Sequence, residues 1–432
     1  HSFEREGEIM TTNNSALPGP NDIARDVLPN GITILTRSNF NSPSVVIGGF
    51  FGAGSLFDPD AKLGLADFVA SALMRGTKTR TFDTIYNELE SAGASLGFSS
   101  GVHKSGFNGR SLAEDLPLLL NLLAGSLITP TFPRAEMEKL GTQLLTGLAI
   151  RAQDTSDMAS MVFDEILFKD HPYSRAEDGH PETVKKITQG DLVKFHREHF
   201  SPHGMVIAIV GAVKAEEAVR QVKRALGGWQ VTGQKEALAL PPLKPMKKTV
   251  RRHHQIAGKS QSDLVIGMAG PMRKDPDFFP ASLGNNILGQ FGLMGRIGDV
   301  VREKAGLAYY AGSSLSAGMG PGSWEVNAGV NPSNVNKAAE LIVSELKRFV
   351  EDGVTADELA DSQTNYIGRL PLSLESNGGV VGALLNIERH NLGLDYYLRY
   401  ADLVRHVTRE NVLGAARRFI DTEKLAIAVA GA

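Results

Sequence analysis

Residues 64–77, GLADFVASALMRGT, place Asp67, Ala70 and Ser71 at i, i+3 and i+4. That spacing puts three side chains on one helix face. Two histidines so spaced could hold a metal, with a glutamate between them to polarise its water. The residue types here do not supply that chemistry. Asp67 offers one oxygen, Ser71 is a poor zinc ligand at neutral pH, and Ala70 has no proton to move. Other candidates are weaker. Gly93, Ser95 and Gly97 satisfy G-x-S-x-G, but a nucleophile elbow needs a strand before it and a helix after, and the order here is reversed. His196, His199 and His203 suggest a metal cluster, yet Pro202 breaks the helix among them, so a partly exposed helix end is expected. His253 and His254 lack a third ligand at useful spacing. The sequence contains no cysteine, which excludes disulfides and thiol chemistry.

The elements that must position such residues alternate between strands and helices. Residues 64–77 carry Leu65, Val69, Ala72 and Leu73 at helical period, and Gly76 stands where a left-handed C-terminal residue is expected. ITILTR and VVIGGFFGAGS read as strands, and LGFSSGVHKSGFNGRSL as a hairpin. Residues 81–92 read as a helix capped by Thr81 and closed by Gly93. Further helices are predicted near residues 116–127, 137–150, 156–168 and 188–200, with a central strand over residues 205–213.

A repeat ties these elements together. Residues 184–212 align without a gap onto residues 404–432, an offset of 220 throughout. Ile187 meets Val407, Thr188 meets Thr408, Ile207 meets Ile427 and Gly211 meets Gly431. Each copy is a helix with threonine near its start, a turn and a strand. An α+β chain of two homologous halves follows: residues 25–231 and 249–432, each α/β-sandwich-like, joined by a Pro/Lys/Gly-rich linker over residues 232–248. The Pro/Gly-containing residues 1–24 are expected to be mobile.

Composition sets outer bounds. A chain of 432 residues with 42% hydrophobic and 22% charged residues fits a globular protein of two or more domains. Its net charge of −3 gives no footprint for nucleic acid or membrane, and no apolar run approaches the roughly 20 residues of a membrane span. Residues 1–9, ahead of Met10, resemble a vector-derived remnant. A start at Met10 lacks a secretory signal and predicts a cytoplasmic chain; removal of a signal would instead allow a periplasmic one.

Residues 64–77 resemble the zinc helix of the pitrilysin/insulinase metallopeptidases, which include the mitochondrial processing peptidases. Gly64, Leu65, Ala66, Phe68, Leu73, Gly76 and Thr77 match that frame. The inverted zinc motif H-x-x-E-H falls on Asp67, Ala70 and Ser71, and the family's third ligand falls at or near Gly147. The resemblance therefore implies a family member without its own zinc site. A second stretch, NILGQFGLMGRIGDVVREKAGLAYYAGSSL, is similar to the family's C-terminal substrate segment. It implies that Arg302 and Tyr309 hold substrate and polarise the scissile carbonyl, a role that suits two hydrogen-bond donors. Without the family frame, the same two residues would read as a surface arginine and a core tyrosine. Gly289, Gly292 and Gly295, with Gly298, could match a glycine-rich substrate loop or form a tight helix entry. The implied function is the non-zinc subunit of a two-chain zinc peptidase. Its partner would be a homologous chain bearing H-x-x-E-H and the zinc, and its substrate a peptide. The competing implication is a structural or peptide-binding relative without hydrolysis.

Overall fold

The computed structural model describes residues 17–232, 239–292 and 294–432. Two sheets organise them. The first contains β1 (Ala24–Val27), β2 (Thr33–Ser38), β3 (Ser44–Ala53), β4 (Ser95–Ser100), β5 (Lys104–Leu112) and β6 (Val206–Gly211), in the order β1-β2-β6-β3-β5-β4. The second contains β7 (Val250–Gln255), β8 (Ser262–Gly270), β9 (Ala308–Leu315), β10 (Gly322–Val330) and β11 (Ala426–Gly431), in the order β7-β11-β8-β10-β9. Apart from β1, the two orders are the same permutation of the chain. The duplication is thus present in the topology, and the fold is the α+β pair of halves that the sequence implied.

The repeated unit matches down to its caps. Helices Gln189–His199 and Arg409–Phe419 are shifted by 220, and both are opened by a threonine in a capping box. Thr188 Oγ accepts from Asp191 N, and Thr408 Oγ from Asn411 N. Each helix runs into a fully buried strand, β6 or β11. Each strand ends on a glycine at positive φ, +147° at Gly211 and +143° at Gly431. A Cβ on Gly211 would lie 2.2 Å from the Ser44 carbonyl oxygen, so the neighbouring strand approaches too closely for any larger residue.

The halves do not merely face each other. Helix Thr155–Leu167, from the first half of the chain, packs on β8 and β11 of the second sheet. There Phe163 and Ile166 join Val265, Ala426 and Ala428 in one core. Reciprocally, helix Asn377–His390 packs on the first sheet, where Val381 and Leu384 join Leu35, Phe50 and Val206. A polar anchor accompanies the first exchange: buried Asp263 on β8 accepts from Thr155, Tyr310 and Gln261. Separate cores lie on the opposite sheet faces and contain Trp229 and Trp324 respectively.

Several sequence expectations need correction. Residues 17–24 are not a free arm, because Ile23 is buried against the first sheet and Ala24 begins β1. The remaining tail, residues 1–16, lies outside the described residues. So do residues 233–238 of the expected linker, whose described part, residues 239–248, has no regular structure. Gly76 has positive φ but extended ψ (149°, 143°), because a 3-10 turn, Leu73–Arg75, intervenes between it and helix Leu65–Ala72. His199 is buried, stacked on Phe57 at 4.2 Å, and His196 is hydrogen-bonded to the Leu127 carbonyl at 2.8 Å. Of the expected partly exposed histidine end, His199 is therefore core packing, whereas His196 is half-buried and His203 exposed, and burial lowers the His196 pKa.

Candidate functional site

Helix Leu65–Ala72 is fixed at its N-terminus by protein groups. Asp58 accepts from the Gly64 and Ala66 amides, both at 2.9 Å, satisfying donors that a helix start leaves open. Arg175 clamps the preceding turn, donating to the Asp58, Leu56 and Ser55 carbonyls at 3.0–3.2 Å. The turn at Asp178 and Gly179 closes over the helix start: a Cβ on Gly64, at φ +92°, would lie 2.7 Å from the Asp178 carbonyl oxygen. Arg151, ending helix Arg134–Arg151, reaches the same turn through the Asp178 carboxylate and the Gly179 carbonyl.

Asp67 is the one acidic group at the chemical positions of this helix, and its charged neighbours Asp178 and Glu177 are carboxylates too. Burial, with Asp178 as a like-charged neighbour, pushes the Asp67 carboxyl up to about 6. Burial also raises Glu177, with Asp178 and Asp67 adding to the shift. Asp164, on the exchanged helix, is raised to about 7 by burial and by Glu325, Glu177 and Glu165. Glu325 lies on β10, so this acidic field spans both halves. Ala70 is buried, and Ser71 is half-buried. Gly147 lies on Arg134–Arg151 with open space around its Cβ position. A catalytic zinc takes three protein ligands, and this donor set contains one. Among the described residues no trio of His, Cys or acidic side chains is placed to hold a metal. The residues present do not fit the zinc that the family implies.

The second segment departs from the reading without the family frame at its tyrosine, which is exposed rather than core, while its arginine is part-exposed. Arg302 lies on a π-helical turn, Asp299–Lys304, with its side chain 39% exposed and a long 3.8 Å contact to Glu303. Tyr309 is on β9, an edge strand, and is 66% exposed. Its neighbour Tyr310 points the other way, onto Asp263, as strand alternation requires. Neither the Arg302 nor the Tyr309 side chain has a hydrogen bond among the described residues, so both donors are available.

The glycines divide by environment. A Cβ on Gly289 would lie 2.1 Å from Ser313 N, and one on Gly295 would lie 2.5 Å from the Ile287 carbonyl oxygen. Close packing accounts for these two. Gly292, at φ +62°, has open space around it; Leu293 lies outside the described residues. Sequence reading also missed a second repeat, Asp58-Pro59-Asp60 and Asp275-Pro276-Asp277, offset by 217. The first copy caps the degenerate zinc helix. In the second, both aspartates hold Arg418, at 2.6–3.0 Å.

Comparison with known proteins agrees with this architecture. Residues 33–176 match the profile of the insulinase family of peptidases, M16, and residues 186–366 match the profile described as the peptidase M16 inactive domain. The chain belongs to the M16 peptidase family. It is 27% identical to an uncharacterized zinc protease of Streptomyces coelicolor over 85% of this chain and 80% of that protein. To the mitochondrial-processing peptidase subunit beta of Saccharomyces cerevisiae it is 25% identical, over 88% of this chain and 84% of that one. A crystal structure titled as a peptidase M16 inactive domain, from Pseudomonas fluorescens, superposes with a TM-score of 0.87 at 26% identity, covering 95% and 98% of the two chains. A Helicobacter pylori protease superposes at 0.89 with 17% identity, covering 96% and 100%, which establishes likeness of fold. The matches span both halves, so the likeness is to the whole interlocked unit. No described helix is long and apolar enough to cross a membrane.

Proposed function

We propose that this chain is the non-zinc member of a two-chain zinc peptidase and supplies Arg302 and Tyr309 to a chamber completed by a homologous partner bearing H-x-x-E-H. The observation that carries this reading is a contrast within one molecule. The zinc-helix positions keep a single possible ligand, Asp67, whereas Arg302, part-exposed with only a long 3.8 Å contact to Glu303, and Tyr309, exposed, carry side chains without a hydrogen bond among the described residues, within an otherwise family-like REKAGLAY segment. The partner's zinc would supply the Lewis acid that activates water. Arg302 would place a permanent positive charge, and Tyr309 a neutral O–H, beside the carbonyl oxygen of the bound peptide as it gains charge. Gly292, with open space around its Cβ position, has room to approach a peptide backbone.

The test is to combine the zinc-bearing partner with wild-type chain, Arg302→Ala or Tyr309→Phe, confirm the dimer by size, and measure peptide cleavage. Loss of one preorganised donor costs on the order of 100- to 1,000-fold in turnover. That loss is expected with assembly and the partner's zinc content unchanged. Turnover within about twofold of wild type, well short of it, would overturn the assignment and favour a peptide-binding or structural relative without a role in hydrolysis.

A further inference from the structure

A cavity of about 570 Å³ opens in the second half against helices Phe278–Gly289, Ala356–Ser373 and Tyr396–Arg405. The first of these follows β8 as the degenerate zinc helix follows β3, so the cavity occupies the corresponding region of the other half. Its size is that of a ligand pocket, and its lining is unusual in charge. Arg273 and Arg369 line it together with His390, whose proton is disfavoured by burial and by Arg273, Arg389 and Lys104, and among the described residues no carboxylate does.

Arg273 is held in place without being neutralised. Its guanidinium lies 4.0 Å over the Phe278 ring and donates to the Tyr396 hydroxyl at 2.7 Å. Neither Arg273 nor Arg369 has an ion pair, and the Arg369 and Tyr400 side chains have no hydrogen bond, among the described residues. Burial and the surrounding tyrosines hold the proton on Tyr400, leaving its O–H as an unused donor. The positive character extends outward. Lys104 and Arg389 lie over the Phe50 ring at 4.0 and 4.8 Å, while the nearby Glu388 carboxylate is taken by Arg25 at 2.7 Å. Cations gathered on aromatic rings without a counter-carboxylate form a ready site for an anion with an apolar body.

We infer that this cavity binds the free C-terminal carboxylate of a peptide whose last side chain is aromatic, with Arg369, Arg273 and Tyr400 receiving the carboxylate and the aromatic wall receiving the side chain. The inference rests on the reading that this chain handles peptides, but its test requires neither a partner nor turnover.

Binding of acetylated pentapeptides ending in phenylalanine is measured by calorimetry on the isolated full-length chain, with free and amidated C-termini compared. The free acid should bind about tenfold or more tightly, as loss of a charge-assisted contact implies. Arg369→Gln and Tyr400→Phe should each weaken the free acid and leave the amide unchanged, with thermal unfolding checked for both. Equal binding of acid and amide, or no effect of Arg369→Gln, would overturn the inference. N-acetylphenylalanine binding as tightly as the pentapeptide would replace the peptide end with a small aromatic acid. Inorganic phosphate displacing the peptide at comparable concentration would reduce the site to a general anion site. Either result would overturn the assignment. Peptide binding with these dependences would stand even if Arg302 and Tyr309 proved idle in the mixed complex.

Discussion

Exchange of helices between the halves makes a quantitative prediction about Phe163. This side chain comes from the first half of the chain but is 1% exposed in a core built with the second sheet. Phe163→Ala should cost about 3–5 kcal/mol through lost burial and the cavity left behind. The thermal consequence depends on how much of the chain unfolds together. With about 2.1 cal/mol/K per residue, 432 residues melting as one unit give a fall in Tm of about 3–6 °C. A half of roughly 210 residues melting alone would fall by about 7–11 °C. The two tryptophans separate these cases, since Trp229 and Trp324 are buried in different halves. In Trp229→Phe and Trp324→Phe backgrounds, the remaining fluorophore reports one half at a time. Both reporters should show the same smaller shift when Phe163 is truncated, measured at matched scan rate and checked for reversibility. If Trp324 keeps its transition while Trp229 moves, or if the two transitions separate, the halves are not coupled through the exchanged helices and the reasoning fails.

Other consequences can be tested on the isolated chain. The folded-state carboxyl of Asp164 is raised from 3.8 to about 7, so its stabilising contribution is fully present below the unfolded value and is lost as pH rises through the folded one. Asp164→Asn should therefore raise stability at pH 8 by roughly 1–4 kcal/mol and leave it nearly unchanged at pH 3.5; paired denaturant titrations at the two pH values measure this, and an equal gain at both would refute the cause. Metal analysis should find no stoichiometric zinc on the wild-type chain or on Asp67→His/Ala70→Glu/Ser71→His, because the third ligand is still missing. Adding Gly147→Glu, at a position with open space, should then allow one zinc per chain; tight zinc on the triple variant would disprove the ligand count. Gly211→Ala and Gly431→Ala should each destabilise by roughly 1–3 kcal/mol, measured by urea unfolding, since both combine positive φ with a close neighbouring strand.

The sequence revealed what is local and repeated. Thr188 and Thr408 announced their caps, and the gapless offset of the helix–strand units revealed the duplication before any coordinate. The missing zinc donors were equally plain, because ligand chemistry depends on residue type at fixed spacing. The exchanged helices were not legible. The amphipathic pattern of Thr155–Leu167 states that one face is buried, but not against which sheet. For the same reason the burial of His199 within a partly exposed helix end was not legible, since its stacking partner Phe57 is distant in sequence. The cavity inferred to take a carboxylate combines Arg273, Arg369 and Tyr400, which share no motif. The Asp-Pro-Asp repeat, by contrast, was visible and simply overlooked.

What holds the degenerate zinc helix bears on why Arg302 and Tyr309 matter. Asp58 satisfies its first amides, Arg175 clamps the turn before it, and Arg151 secures the turn that covers it. The helix is thus positioned by protein groups, and its chemical positions could lose their ligands without releasing it. No comparable structural duty falls on the Arg302 guanidinium or the Tyr309 phenol. One is part-exposed on a π-helical turn, the other projects from an edge strand, and among the described residues neither side chain holds a neighbouring element by a hydrogen bond. Replacing either should therefore cost the folded chain little, within the roughly 0.5 kcal/mol usual for exposed positions. The proposed complex should instead lose most of its turnover. A large loss of stability in Arg302→Ala or Tyr309→Phe would contradict this separation, because it would give those side chains a structural reason to be present.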